Sequence, residues 1–264
     1  VALGAGMTGD LGGFVAATYM RGIPVVQVPT SLVAMVDASV GGKTGLDVPG
    51  GKNLVGAFHP PRLVLADPEV LVTLPRAQRS GGLAEAVKHG AIRDLGHMEA
   101  IRSAAAGLLD GDPEVSAGIV AASVRIKATV VAEDEREGGL RRILNFGHTL
   151  AHAIESVTDF AVSHGEAVAM GMVLEARVGE ELGVTTPGTA SGLAGLLEEL
   201  ELSVHRPQGC GTEELLSATR TDKKAAGGRV RYVLLEEVGR VHPGGGSWVH
   251  QVEDAVVRSV LADW

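Results

Sequence analysis

Short apolar runs separated by glycine-rich turns occupy residues 1–75, a texture that predicts the alternating strands and helices of an α/β domain. The strand candidates are 1–4, 24–29 (Pro24-Val25-Val26-Gln27-Val28-Pro29) and 62–67 (Arg62-Leu63-Val64-Leu65-Ala66-Asp67). All three are continuous apolar runs, as parallel strands buried on both faces require. One helix is predicted near 9–20 and another in the 30s. From about Leu74 the pattern takes on helical periodicity, over 75–92, 96–109, 113–134, 140–158, 164–183, 189–200 and 212–221. One late β pair, with 229–235 as its clearest strand, precedes a final helix near 250–262. The pattern thus divides the chain into an α/β part with a parallel sheet, 1–74, and a mainly α-helical part, 75–264.

Composition narrows the function classes. The 264 residues are 45% hydrophobic and 21% charged, which is ordinary for a globular protein. A net charge of −9 argues against nucleic acid or an anionic membrane as partner. No stretch reaches about 18 residues without a charge or a breaker, and no signal peptide opens the chain, so a soluble cytoplasmic protein is expected. The single cysteine, Cys210, excludes an internal disulfide and a cysteine-rich metal site. Any metal must therefore use histidine and carboxylate. Glycine, at 37 residues, is about twice as frequent as usual, so tight turns and close backbone approaches carry unusual weight. Val1 opens straight into an apolar run, and the chain is expected to start inside a domain.

Several motifs carry candidate chemistry. Gly4-Ala5-Gly6-Met7-Thr8-Gly9 fits G-x-G-x-x-G between a strand and a helix, where a pyrophosphate can approach backbone N–H groups. The acidic residue expected about 20 positions later is absent, which leaves a plain strand-to-helix turn open. Val40-Gly41-Gly42-Lys43-Thr44 ends like a P-loop, but Asp37 stands where its first glycine belongs, so an NTPase is rejected. Asp37, Lys43, Lys52 and Asn53 then fall in two glycine-rich turns suited to an anionic small molecule, or to a plain solvated loop. Arg141, Asn145, His148, His152 and Glu155 recur at steps of 4, 3, 4 and 3, which places them on one face of the 140–158 helix. The other faces are apolar, so this stripe is expected to be buried, where polar groups need partners or a ligand-filled cavity. His148 and His164 are candidate metal ligands, and Glu85, three residues before Lys88, is a candidate third, though a surface Glu85–Lys88 pair is the commoner case. Thr149 replaces the glutamate of H-E-x-x-H, which excludes that peptidase chemistry.

Taken together, these segments resemble the 3-dehydroquinate synthase family over nearly the whole chain. The resemblance rests on Gly9-Asp10-Leu11-Gly12-Gly13-Phe14, Thr18-Tyr19-Met20-Arg21-Gly22, Val36-Asp37 through Lys43-Thr44, Gly51-Lys52-Asn53, Leu83-Ala84-Glu85-Ala86-Val87-Lys88, Asp134-Glu135-Arg136-Glu137, Leu144-Asn145-Phe146-Gly147-His148, His164-Gly165-Glu166 and Asp222-Lys223-Lys224. It implies a partial Rossmann-like NAD-binding domain over 1–74 and a helical metal- and substrate-binding domain over 75–264. Family members carry roughly 90 further N-terminal residues. The resemblance implies zinc, or cobalt, on Glu85, His148 and His164, and NAD held by Ala5, Gly6, Met7, Asp10, Thr30, Ser31, Lys52, Val70, Leu71, Val72 and Thr73. Substrate contacts are implied at Asp37, Lys43, Asn53, Lys88, Lys127, Arg141, Asn145, His148, His164 and Lys223, with Arg21 reaching across a homodimer. Glu137 and His152 occupy the family's proton-acceptor positions, and Lys88, Lys43 and Asp37 join them in the catalytic set. The implied reaction converts 3-deoxy-D-arabino-heptulosonate 7-phosphate to 3-dehydroquinate and phosphate, with NAD recycled. Met7 departs from the family's glycine triplet, Gly81 stands where an asparagine is frequent, and Ala38 where a serine is.

Other readings remain distinguishable by experiment. Another sugar phosphate cyclase, of the inosose or valiolone type, shares NAD, metal and elimination but acts on a substrate without a carboxylate. Lys127, Arg141 and Asn145 favour the carboxylate. A metal-dependent polyol dehydrogenase needs no phosphate-binding lysines, and a non-catalytic fragment needs no complete ligand set.

Overall fold

The structure is a computed structural model that describes residues 1–48, 51–221 and 230–264. Its first layer is a three-stranded parallel sheet of β1 (Ala2–Gly4), β2 (Val26–Pro29) and β5 (Leu63–Val64), in the order β1-β2-β5. Helix α1 (Gly6–Thr18) follows β1 directly and packs on the sheet. All three predicted strands form and pair in parallel, the third over a shorter span. One expectation fails in part: Leu3, Leu63 and Leu65 are exposed, so the strands are not covered on both faces.

Residues 37–58 depart furthest from the sequence reading. Instead of a helix followed by two turns, Ala34–Ala38 forms a short π-helical segment, and β3 (Lys43–Val48) pairs with β4 (Gly51–Phe58) as an antiparallel hairpin crossing α1. The wide π turn advances Asp37 out of the regular helical register, a distortion common at functional sites.

The helical part comprises α2 (Arg76–Arg93), α3 (Leu95–Ser103), α4 (Ala105–Asp110), α5 (Pro113–Glu133), α6 (His148–Val157), α7 (His164–Glu181), α8 (Thr189–Glu199), α9 (Thr212–Thr221) and α10 (Asp254–Ala262). The predicted 96–109 helix is two helices, broken at Ala104. The expected late strand pair is two antiparallel pairs. β6 (Arg231–Tyr232) pairs with β9 (His250–Gln251), and β7 (Leu235–Glu237) with β8 (Arg240–Val241).

The core lies where α2, α6 and α7 meet. Leu83, Val87, Ile92, Phe146, Leu150, Ile154, Val168, Met172 and Leu174 are all buried in it. Helices α2 and α7 cross at glycines: a Cβ added at Gly165 would lie 2.3 Å from the Cα and O of Gly81. This contact brings Glu85 of α2 beside His164 of α7. α5 is long and apolar enough to cross a membrane by length and composition, yet it contains Arg125 and Lys127 and carries Lys127 into an internal cavity.

Candidate active site

A cavity of about 660 Å³ opens between the β3–β4 hairpin, α2, α5 and the start of α6. Its lining brings together Asp10, Asp37, Lys43, Glu85, Lys88, Lys127, Glu137, Arg141, Asn145, His148 and His164. Residues from 10 to 164 in sequence thus meet in one space.

At its floor stand Glu85, His148 and His164, with one ligand atom of each within 4.8 Å of the others. The Nε2 atoms of His148 and His164 lie 3.4 and 3.2 Å from Glu85 Oε1. Donors around a tetrahedral ion at about 2.1 Å are separated by about 3.4 Å, so the triad fits zinc or cobalt. The orientation of both rings supports that fit. His148 Nδ1–H donates to Phe146 O at 3.1 Å, and His164 Nδ1–H to Glu155 Oε1 at 3.4 Å. Both acceptors lack a proton to give, so in each neutral ring Nε2 carries the lone pair and faces Glu85. Burial pushes His148 down to about 4. Burial would lower His164 too, but hydrogen bonds to Glu155 and Glu85 push it up to about 10. Burial of Glu85 is outweighed by Lys88 and His148, which hold its carboxyl well below the usual range.

Above the triad lies a charged hub. Asp37 Oδ1 is 3.5 Å from Lys88 Nζ and 3.0 Å from Lys127 Nζ, and Lys127 also donates to the Asp37 carbonyl at 2.6 Å. Lys88 reaches Glu85 Oε2 at 2.5 Å. The sequence alternative of an exposed Glu85–Lys88 pair is thereby corrected, since both side chains are buried. The two lysines respond oppositely. Burial lowers Lys127, whereas Asp37 and Glu85 outweigh burial at Lys88 and raise it. Burial also raises Asp10 to about 6.

The far wall comes from 134–148, where the structure corrects the continuous-helix reading. Leu140–Asn145 is a 3₁₀ segment, and Gly147, at φ 80°, turns the chain before α6 begins at His148. Arg141 and Asn145 therefore do not share one helical face with His148 and His152. They reach the cavity from a separate turn. The Asp134 carboxylate accepts from the N–H groups of Gly138, Gly139 and Arg141 at 2.9, 2.7 and 3.0 Å, which shapes the loop. Within it Glu137 sits at φ 60°, a conformation a side-chain-bearing residue adopts only when its surroundings hold it there. Its carboxylate receives Lys43 on Oε2 and Asn145 Nδ2 on Oε1, the latter at 2.6 Å. Arg141 donates to the carbonyls of Glu135 and Gly41 at 2.5 and 2.8 Å, and its guanidinium lies 5.9 Å from the Phe58 ring centre.

The remaining predicted positions distribute as follows. His152 lies one turn beyond His148, their rings edge to face at 5.6 Å, and is not part of the cavity lining. Ala5, Gly6 and Met7 follow β1, Thr30 and Ser31 follow β2, and Val70 to Thr73 form a 3₁₀ turn after β5. These are the carboxyl ends of parallel strands, where α/β sheets bind ligands. The N-terminus of α1 has no side-chain cap there, which suits a pyrophosphate. Leu71 is buried in the core and its carbonyl accepts from Arg79, so of this turn Val70, Val72 and Thr73 are the positions left for a cofactor. Arg21 is exposed after α1 and does not line the cavity. Lys52 and Asn53 belong to β4 by backbone, their side chains being undescribed, and Lys223 lies outside the described residues. The sequence reading missed Phe58, the Gly41 carbonyl and the role of Glu155 behind His164. Only Glu155 had left a signal, as the last member of the polar stripe.

Comparison with known proteins adds independent findings. A family model described as 3-dehydroquinate synthase N-terminal matches residues 1–80, and one described as 3-dehydroquinate synthase C-terminal matches 82–225. A 3-dehydroquinate synthase of Symbiobacterium thermophilum is 52% identical over 242 residues, covering 91% of this chain and 68% of the relative. Among solved structures, 2-deoxy-scyllo-inosose synthase in complex with carbaglucose-6-phosphate, NAD+ and Co2+ superposes with a TM-score of 0.92 at 27% identity, over 99% of this chain and 73% of its own. The 2-epi-5-epi-valiolone synthase of Streptomyces hygroscopicus, with NAD+ and Zn2+ bound, gives 0.88 at 27%, over 99% and 72%.

Proposed function

The chain belongs to the 3-dehydroquinate synthase family, and from that premise we propose that its cavity converts 3-deoxy-D-arabino-heptulosonate 7-phosphate to 3-dehydroquinate and inorganic phosphate, using NAD and zinc or cobalt. The observation that carries this reading is the buried Glu85–His148–His164 triad opening into a cavity lined by Lys43, Lys88, Lys127 and Arg141. When bound, NAD supplies a reversible hydride acceptor and the metal ion a Lewis acid.

The chain's own residues bind, orient and move protons. Glu85, His148 and His164 would hold the ion, their rings fixed by Phe146 O and Glu155. Ala5 to Met7, Asp10, Thr30, Ser31, Lys52, Val70, Val72 and Thr73 would hold NAD along the strand ends. Lys127, Arg141 and Asn145 suit a planar carboxylate, and Lys43 with Asn53 and Lys223 suits the phosphate. Glu137, gripped by Lys43 and Asn145, is placed to accept a proton from the substrate. His152, one turn behind His148, is assigned the second acceptor position on the family resemblance. Departure of phosphate leaves a dianion that the cationic cavity stabilises. The exposed position of Arg21 supports a contribution to the partner's site in a homodimer. As a biosynthetic enzyme of small metabolites, the protein is assigned to the cytoplasm.

The structural neighbours favour one competing reading, a cyclase acting on a sugar phosphate without a carboxylate. Phosphate release from heptulosonate phosphate, measured beside other sugar phosphates, decides between them. Turnover with the heptulosonate and no net NADH is expected, and activity only with the others overturns the assignment. Net NADH would indicate a dehydrogenase. Titration of NAD into the 264-residue chain is expected to show micromolar binding, and its absence would leave this chain without the proposed activity.

A further inference from the structure

His89 is wholly enclosed on α2, with 0% of its surface exposed, and belongs to neither the metal triad nor the cavity lining. Its Nε2 lies 3.3 Å from Asp37 Oδ1. A carboxylate oxygen accepts, so Nε2 carries the proton and Nδ1 carries the lone pair. That Nδ1 is buried and has no hydrogen-bond partner among the described residues. His97, in the same region, turns its Nε2 to Ser123 Oγ at 2.9 Å and does not satisfy it. An orphaned acceptor inside a core is destabilising, so an apolar ring at this position removes that cost. What the imidazole supplies in return is a third donor on Asp37 Oδ1, beside Lys88 and Lys127. All three donors converge on one oxygen of a carboxylate that lines the cavity.

We propose that His89 is a positioning residue, a neutral donor that fixes the rotation of the Asp37 carboxylate in the cavity lining, so that Lys88 and Lys127 stay divided between Asp37 and their other partners. A third cation in its place would crowd the two lysines. An apolar residue would leave Asp37 held on its cavity side alone. The proposal rests on the proposed synthase reading for its kinetic consequence, but its structural content stands separately.

The test uses the NAD- and metal-loaded protein with His89→Phe and His89→Gln, the amide of Gln reaching the same place as Nε2–H. His89→Phe is expected to melt at the same temperature as wild type or higher, while kcat/KM for the heptulosonate phosphate falls about 10-fold or more. His89→Gln is expected to recover most of that loss. A purely structural role predicts the reverse: reduced melting temperature with kinetic constants unchanged, and that result overturns the proposal. Nitrogen-15 NMR of the imidazoles separates this idea from the functional assignment. The His89 signal should report Nε2–H with a slowly exchanging proton that shifts in Asp37→Asn. An Nδ1–H tautomer would overturn the proposal even if the enzyme is active. An inactive wild type with the Nε2–H tautomer would overturn only the synthase reading.

Discussion

The α2–α7 crossing makes an asymmetric prediction. A Cβ at Gly165 would lie 2.3 Å from both Cα and O of Gly81, and backbone atoms cannot rotate away. Carbon atoms in contact sit about 3.5–4.0 Å apart, so Gly165→Ala must push the helices apart by more than about 1 Å. A Cβ at Gly81 meets nothing closer than 3.8 Å, so Gly81→Ala is accommodated at the same crossing. The displaced helix begins at His164, whose Nε2 is 3.2 Å from Glu85 Oε1. Metal–ligand distances tolerate about 0.2 Å, several-fold less than the imposed movement. Gly165→Ala is therefore expected to destabilise the fold by about 1–3 kcal/mol and weaken zinc binding about 10–100-fold. Gly81→Ala should keep wild-type zinc affinity and be stabilised by up to about 1 kcal/mol through helix propensity. Chelator competition for zinc and thermal melts of both variants measure this. Equal behaviour of the two alanines, or wild-type zinc affinity in Gly165→Ala, would refute the crossing as the device that sets the triad.

Three further outcomes follow from the site. His148→Ala should leave the purified protein without its metal, measured by elemental analysis, while a triad that retained stoichiometric zinc would be misassigned. In the metal-free protein His164 is held up to about 10 and is protonated at neutral pH, whereas His148, at about 4, is not. Zinc uptake at pH 7 should then release about one proton, and affinity should rise about tenfold per pH unit towards pH 10, as weakly buffered calorimetry would show. By the same sign, His164 stabilises the metal-free fold fully below its unfolded value of about 6.5, and that stabilisation is lost as pH rises through about 10. The Glu175 carboxylate accepts from the N–H groups of Gly147, Thr149 and Leu150 at 2.9, 3.0 and 3.4 Å, capping the α6 terminus that carries His148. Glu175→Ala should cost about 2–4 kcal/mol in urea unfolding, and a loss below 0.5 would show that the cap is not needed.

The parallel sheet and most helices were legible because their signals are local: apolar runs mark strands and the 3.6-residue period marks α2, α5 and α7. The hairpin was not, because Lys43–Phe58 carries no strong alternation, and β3 packs against α1, a contact that no local pattern announces. The metal ligands were recognisable by type and by family resemblance. Their geometry depends on Gly81 and Gly165, 84 positions apart, and no periodicity links the two.

The break at Gly147 shows why a periodic reading falls short at a site. Steps of 4, 3, 4 and 3 place five polar residues on one face only if a single helix runs through them. Between Glu137 and His148 the chain instead passes through a left-handed residue, a 3₁₀ turn and a left-handed glycine. Each change of conformation re-aims the next side chain, so that Glu137, Arg141, Asn145 and His148 converge on one cavity from different directions. A continuous helix would spread the Cα atoms of Arg141 and His148 about 10 Å along its axis. Convergence therefore requires departures from regular structure, and Asp134 and Glu175 supply the hydrogen bonds that hold those departures in place. Substitutions at these two carboxylates should consequently alter the site more than their distance from substrate suggests.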